Sequence, residues 1–349
     1  MITKIKENFP NIKGSFIWFF SIGCVVLGIL IAFVSLLMVG FDLNRLNTDG
    51  EWQQRTFIQP IGEISEIYIN SRNVRVEVRP TRGNEIVITY FENEHTTFTE
   101  SIASHRVSLA QDRSQRFNTF SIGFNINVGN RGIVVEVPEN AILSGEFRTT
   151  NGRIEIRELN FETLQVRSTN GMIRLEEVAV EGEAVVNTTN AQIHLADSDF
   201  SEQVSLTTTN GRISLERVDL SKNINMNTSS GAVNLSEVHS TGNIHVSTTN
   251  GRIEVGNVIT TGDLDFSSSN AMITLDRTVF NNGNLTTTNG RVIVNDLQRH
   301  EEYRFVTRTS NGRIIIGDLR LEGGSNNFGG GQRLLNIRTS NGNIEVSFD

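Results

Sequence analysis

Between residues 143 and 349 apolar side chains recur at fixed distances from a short polar phrase. The phrase is Thr/Ser-Thr/Ser-Asn-Gly followed by x-apolar-x-apolar, and its variants read TTNGRIEI, STNGMIRL, TTNAQIHL, TTNGRISL, TSSGAVNL, TTNGRIEV, SSNAMITL, TTNGRVIV, TSNGRIII and TSNGNIEV. The third residue falls at 151, 170, 190, 210, 230, 250, 270, 289, 311 and 341, in steps of 19, 20, 20, 20, 20, 20, 19, 22 and 30. Taking that residue as zero, positions +3 and +5 are apolar, as in Ile154 and Ile156 or Ile213 and Leu215. A second apolar pair sits at −6 and −4, as in Leu164 and Val166 or Leu264 and Phe266, and +8 is usually apolar too. Alternation with period two predicts two short strands per unit, and the polar residues at +6 and +7 read as a corner. A fixed period near twenty with strand alternation predicts a solenoid. The fold class is therefore all-β, a parallel β-solenoid (β-helix) of about 20-residue coils. A chain of antiparallel hairpins turning at Asn-Gly is the rival, but such a meander needs no constant register.

Carrying the inward parity of −6 and −4 forward places −2, always Ser or Thr, and the phrase Asn on the inside. Asn151, Asn170, Asn190, Asn210, Asn250, Asn270, Asn289, Asn311 and Asn341 are thus expected to stack as an internal ladder of amides, each bonded to the next coil. The Gly or Ala that follows is read as supplying the unusual backbone angles of the turn.

Ahead of the repeats, Phe16 to Phe41 are 26 positions without a charge. As a helix they would be about 39 Å long against the roughly 30 Å of a bilayer core. The expectation is a single transmembrane helix over 16–41, with a short cytoplasmic segment over 1–15. Lys4, Lys6 and Lys13 precede it, so the positive-inside bias puts the N-terminus in the cytoplasm and the solenoid outside the cell membrane. Residues 42–142 read as a capping β region and 143–349 as the solenoid repeats. Strands are expected in Ile69–Val78, Asn84–Phe91, Gly132–Val137 and Phe120–Val128, with a degenerate coil around Asn73. The polar stretch Glu92–Asn118 reads as a loop, and so does the glycine-rich insertion at Phe328–Gln332. The end at Asp349 shows no cap.

Charge and chemistry narrow the function. The chain carries −8, and about −10 of that lies beyond residue 41, so no basic nucleic-acid footprint exists. Cys24 is the sole cysteine, which leaves the repeats without disulfides. No nucleophile motif, phosphate loop or metal spacing appears, so neither enzyme activity, cofactor nor metal is expected. Position +7 is rich in acids, and Asp197 with Asp199 is the closest outward pair. That pair supports an alternative reading as a polysaccharide-active β-helix enzyme. Position +2 carries Arg153, Arg212, Arg252, Arg291 and Arg313, a row of guanidinium groups suited to anionic glycans or phosphate polymers, or simply to covering apolar edges with their stems.

The GFDLNRL junction at Gly40–Leu46, the SRNVRVEV start, the GIVVEVP phrase and the repeated TTNGRIEI coils together resemble the bacterial putative-adhesin family of unknown function with β-strand repeats. The resemblance covers roughly residues 40 to 349 and implies a surface solenoid with no established reaction. The combined expectation is a membrane-anchored, non-enzymatic solenoid whose partner is a cell-wall polymer or an envelope protein. A third reading is an envelope-stress regulatory membrane protein.

Overall fold

The computed structural model describes residues 14–38, 52–112 and 131–348. The chain divides into two compact units, Met1–Trp52 with Gln115–Asn130, and Gln53–Ser114 with Arg131–Asp349. Among the described residues the first unit holds one helix, α1 (Gly14–Met38), and the second holds a single 29-stranded sheet.

Within the sheet the coils lie in parallel register, one repeat apart. Ile193 pairs with Ile213, and the column continues through Val233, Ile253, Ile273 and Val292. The shorter strand makes its own column, Val204, Ile224, Ile244, Leu264 and Gly283. The apolar positions −6, −4, +3 and +5 point inward and are buried, as are those at +8 apart from the exposed Leu319, so that side chains stack on their equivalents in neighbouring coils and one core runs from Phe57 to Val346. Residues at +10, such as Phe161, Val180, Phe200 and Phe280, close the third side of each coil.

Two corners shape the coil. At +7 the backbone is left-handed in every coil from Glu158 to Asp296, with φ between 46° and 55°. This breaks the alternation where the polar pair at +6 and +7 indicated a corner, at a cost of about 1–2 kcal/mol for each ordinary L-residue. The other corner is the phrase itself. Its Gly has no positive φ; what it provides is close approach, since a Cβ on Gly211 would lie 1.6 Å from the carbonyl oxygen of Ala191 and one on Gly251 1.7 Å from that of Gly231.

At both ends the order in space departs from the order in sequence. The strands Arg333–Arg338 and Ile344–Phe348 lie between the coils of Asn289 and Asn311: Gly283 and Phe305 both pair with Leu335, and Val292 and Ile314 both pair with Ile344. The coil of Asn311 is thus outermost. The long insertion covers its edge, Gly324–Phe328 running antiparallel to Tyr303–Thr309 and Leu319–Leu321 antiparallel to Ile314–Ile316. Of the FGGGQ run, read as a loop, Phe328 ends the strand Gly324–Phe328 with its ring stacked 5.4 Å from Phe305, and residues 329–332 carry no strand. The chain end expected to lack a cap is therefore a coil enclosed by its neighbours.

The other end repeats the device. Glu66–Asn70 and Arg75–Thr81 form a coil around Asn73, held between the coil of Asn151 and an outer one made from Arg106–Gln111 and Gly132–Pro138. Phe98–Ala103, Glu85–Glu92 and Gln53–Pro60 complete it in antiparallel fashion. The polar stretch read as a loop therefore contains a hairpin, Phe98–Ala103 with Arg106–Gln111. Its first strand buries only Phe98, which hid the alternation. The strand expected at Phe120–Val128 and the junction at Gly40–Leu46 lie outside the described residues.

The expected location needs correction. Helix α1 exposes apolar side chains such as Phe20 and Ile29. Among the described residues no helix is long and apolar enough to cross a membrane. A single-pass placement with a cytoplasmic N-terminus and an extracytoplasmic solenoid is therefore not upheld.

Candidate functional site

The phrase Asn residues form a ladder along one corner. Each Nδ2 donates to the Oδ1 of the neighbouring coil: Asn151 to Asn73 at 2.5 Å, Asn170 to Asn151 and Asn190 to Asn170 at 2.6 Å, and Asn210 to Asn190 at 2.7 Å. After Ser230 it resumes from Asn270 to Asn250 at 2.7 Å and Asn289 to Asn270 at 2.8 Å, then from Asn341 to Asn289 and Asn311 to Asn341 at 2.7 Å. This order follows the spatial exchange of the last two coils. The ladder is exposed, contrary to the internal position expected. Inward parity ends at −2, where the buried Thr208 hydroxyl accepts the Gly211 N–H at 3.1 Å, and the chain then turns and swings the Asn outward.

The five arginines at +2 all project outward beside this corner, but Met172, Gln192, Ala232, Met272 and Asn343 separate them. Successive Arg are thus at least two coils apart, about 10 Å at sheet spacing. Three have carboxylate partners: Arg153 with Glu155 at 3.0 Å, Arg252 with Glu254 at 3.1 Å and Arg291 with Glu345 at 3.8 Å. Glu155 also meets Arg75 at 2.5 Å. Burial pushes its carboxyl up, yet the hydrogen bonds from Arg153 and Arg75 outweigh this and hold it below the usual carboxylate range. Among the described residues Arg212 and Arg313 make no ion pair. The row offers separated cationic points rather than a continuous stripe.

The acids at +7 and +9 divide between different partners. Arg217 grips Asp197 through Nε at 2.5 Å and Nη2 at 2.9 Å, which holds that carboxyl low. Asp199 instead faces Asp219, and burial together with that neighbouring carboxylate pushes it up. Asp219 in turn meets His239 Nδ1 at 3.3 Å, so Asp199, Asp219 and His239 mark successive coils at +9. Beyond them lies an open groove of about 320 Å³ lined by Ile259, Val279 and Arg277. A second open depression, about 390 Å³, lies at the Asn311 end among Tyr303, Phe305, Ile316, Phe328 and Phe348. Among the described residues no group of three or more His, Cys, Asp or Glu is placed to hold a metal ion.

Two further ladders escaped the sequence reading. At −7, Asn223, Asn243, Asp263 and Asn282 each accept the backbone N–H of the next coil at 2.9–3.0 Å. At −5, His245 meets Asp265 at 3.0 Å, Asn284 donates to Asp265 at 2.8 Å and Asn336 to Asn284 at 2.8 Å. An Asn or Asp at −7 in four successive repeats was the available signal.

The family model described as Toastrack DUF4097 matches residues 64–256, more than half of the chain. The chain belongs to this family. The resemblance carried by SRNVRVEV, GIVVEVP and the TTNGRIEI coils thus holds, and the Toastrack coils are those whose register is given above. No curated protein matches the chain. Among solved structures, a putative cell adhesion protein from Clostridium sporogenes is 11% identical over 86% of this chain and 100% of its own, with a TM-score of 0.19. A putative adhesin from Bacteroides fragilis is 9% identical over 84% and 97%, with a TM-score of 0.29. A putative lipid binding protein from Parabacteroides distasonis is 10% identical over 86% and 98%, with a TM-score of 0.24.

Proposed function

We propose that this Toastrack protein is a non-enzymatic binding scaffold that holds a cell-wall polymer or another envelope protein along the outward rows of its coils. The observation that carries the reading is the repetition of outward chemistry at coil spacing: exposed amides at 0 beside arginines at +2, on a stack whose coils are tied by three side-chain ladders. A ligand that repeats along its length meets exposed amides coil by coil on either side of Ser230, with a cationic point at every second or third coil. Arg212 and Arg313 supply cationic points without carboxylate partners among the described residues, suited to phosphate or carboxylate groups. Of the two acids proposed for hydrolysis, Asp197 is held by the Arg217 guanidinium, which supports the non-enzymatic side.

The test is co-sedimentation of the full chain with purified cell-wall sacculi at low and high salt, comparing wild type with the triple variant R212A/R252A/R291A. Salt-sensitive binding that the variant loses supports a polymer ligand at the Arg row. Absence of binding by wild type points to the envelope protein instead. Polymer cleavage would overturn the non-enzymatic reading.

A further inference from the structure

The exposed ladder has a chemical consequence of its own. Asn followed by Gly is the sequence in which a side-chain amide is most readily lost, because the Gly backbone nitrogen meets little steric hindrance in attacking the Asn Cγ. In that step the N–Cγ bond forms as the Gly nitrogen gives up its proton, the Cγ–Nδ2 bond breaks, and ammonia leaves with that proton. Water then opens the cyclic imide to aspartate or isoaspartate. Seven phrases present Asn-Gly on the exposed corner, at Asn151, Asn170, Asn210, Asn250, Asn289, Asn311 and Asn341.

The fold opposes this reaction in two ways. The attacking nitrogen is held away, since every one of the seven Gly N–H groups donates to the Ser or Thr hydroxyl at −2, at 2.8–3.1 Å. The leaving nitrogen is held as well, since Nδ2 of six of these Asn residues donates to a neighbouring amide oxygen. Asn250 is the seventh. Its neighbour is Ser230, and among the described residues its Nδ2 donates to no amide. Its Oδ1 still accepts from Asn270 at 2.7 Å, which polarises the carbonyl toward attack while the amine remains untethered.

We infer that Asn250 is a site of spontaneous modification, where deamidation to aspartate or isoaspartate proceeds ahead of the other six Asn-Gly pairs, and that the ladder protects those six. The product would place a negative charge one residue from Gly251 and two from Arg252, on the face of the proposed binding row but without depending on that function. Loss of one amide–amide hydrogen bond from the leaving group sets the expected difference at several-fold to about tenfold in rate.

The test holds the full chain in warm, mildly alkaline buffer, folded or in denaturant, and follows each Asn-Gly peptide by mass spectrometry with isoaspartate detection. In denaturant the seven should react at similar rates; in the folded chain all should slow, with Asn250 the fastest. The variant Ser230→Asn fills the gap with the residue used by the neighbouring coils, and should bring Asn250 down to the rate of the rest. A folded chain in which Asn250 reacts no faster than Asn170 or Asn289, or a Ser230→Asn variant in which it stays fast, overturns the inference.

Discussion

The hydroxyl at −2 gives the sharpest test of how the coil turns, and Thr208 is the best position for it because it is 2% exposed and lies mid-stack. Its Oγ1 accepts the Gly211 N–H at 3.1 Å and donates to the Thr189 and Ala191 carbonyls, both at 3.3 Å. Thr208→Val keeps the shape and removes the hydroxyl. The Thr189 carbonyl still accepts from Thr209 N at 3.0 Å and Asn210 N at 2.9 Å, so the loss falls on the Gly211 N–H, which is buried and orphaned, and on the Ala191 carbonyl, which loses its hydroxyl donor. Leaving one such donor unsatisfied costs about 1–3 kcal/mol. Thr208→Ser keeps the hydroxyl and deletes one methyl group, about 0.8 kcal/mol, and Ser168 and Ser268 already occupy the position in other coils. The midpoint of urea unfolding followed by far-ultraviolet circular dichroism should therefore fall further for Val than for Ser. A Val variant as stable as the Ser variant would refute the assignment of the hydroxyl as the corner's internal acceptor.

Glu237 sits at the left-handed corner with φ 55°, a conformation that Asn257 takes in the next coil. Glu237→Asn should stabilise by about 0.5–1 kcal/mol, seen as a higher urea midpoint; an unchanged or lower midpoint counts against strain there. Asp199 has its pKa raised, so the folded state takes up a proton before the unfolded one. Its penalty on stability is present at neutral pH and is relieved as pH falls through the folded value. Asp199→Asn should thus stabilise slightly at neutral pH, by less than about 1 kcal/mol for so exposed a group, and the gain should shrink in mild acid; a gain independent of pH would refute the Asp219 contact as its cause. Ending the chain after Gly331 removes both the outer partner of Gly283–Thr287 and the inner partner of Tyr303–Thr309. Hydrogen exchange should then accelerate throughout 303–328, whereas protection retained there would contradict the exchanged coil order.

The coil, its register and its buried positions were legible because a period near twenty leaves one arrangement in which −6, −4, +3, +5 and +8 all face one core. The Asn ladder was legible as a ladder but not as a surface feature, since alternation carried past Thr −2 assumes a straight strand where the backbone turns. Gly at +1 is a different case: composition points to unusual angles, while in the phrases with Gly a carbonyl of the neighbouring coil lies less than 2 Å from where a Cβ would be, and Ala191 and Ala271 take the position in the other two. The exchanged end coils were hidden because one repeat can stack on any other, so only the steps of 22 and 30 departed from the pattern. Of the candidate site, the Arg positions were legible and their carboxylate partners were not. Glu155, Glu254 and Glu345 all lie at +4, the outward position on the same face, and the partner of Arg291 comes from the inserted coil.

The claim at the centre of this account is that ligand lies along many coils and not in one pocket. It is tested most directly by measuring the affinity of the full chain for cell-wall polymer fragments of graded length. Affinity that climbs with length as successive coils are engaged is the expected result. A single repeating unit that binds as tightly as the long polymer would place recognition in one pocket and contradict the account.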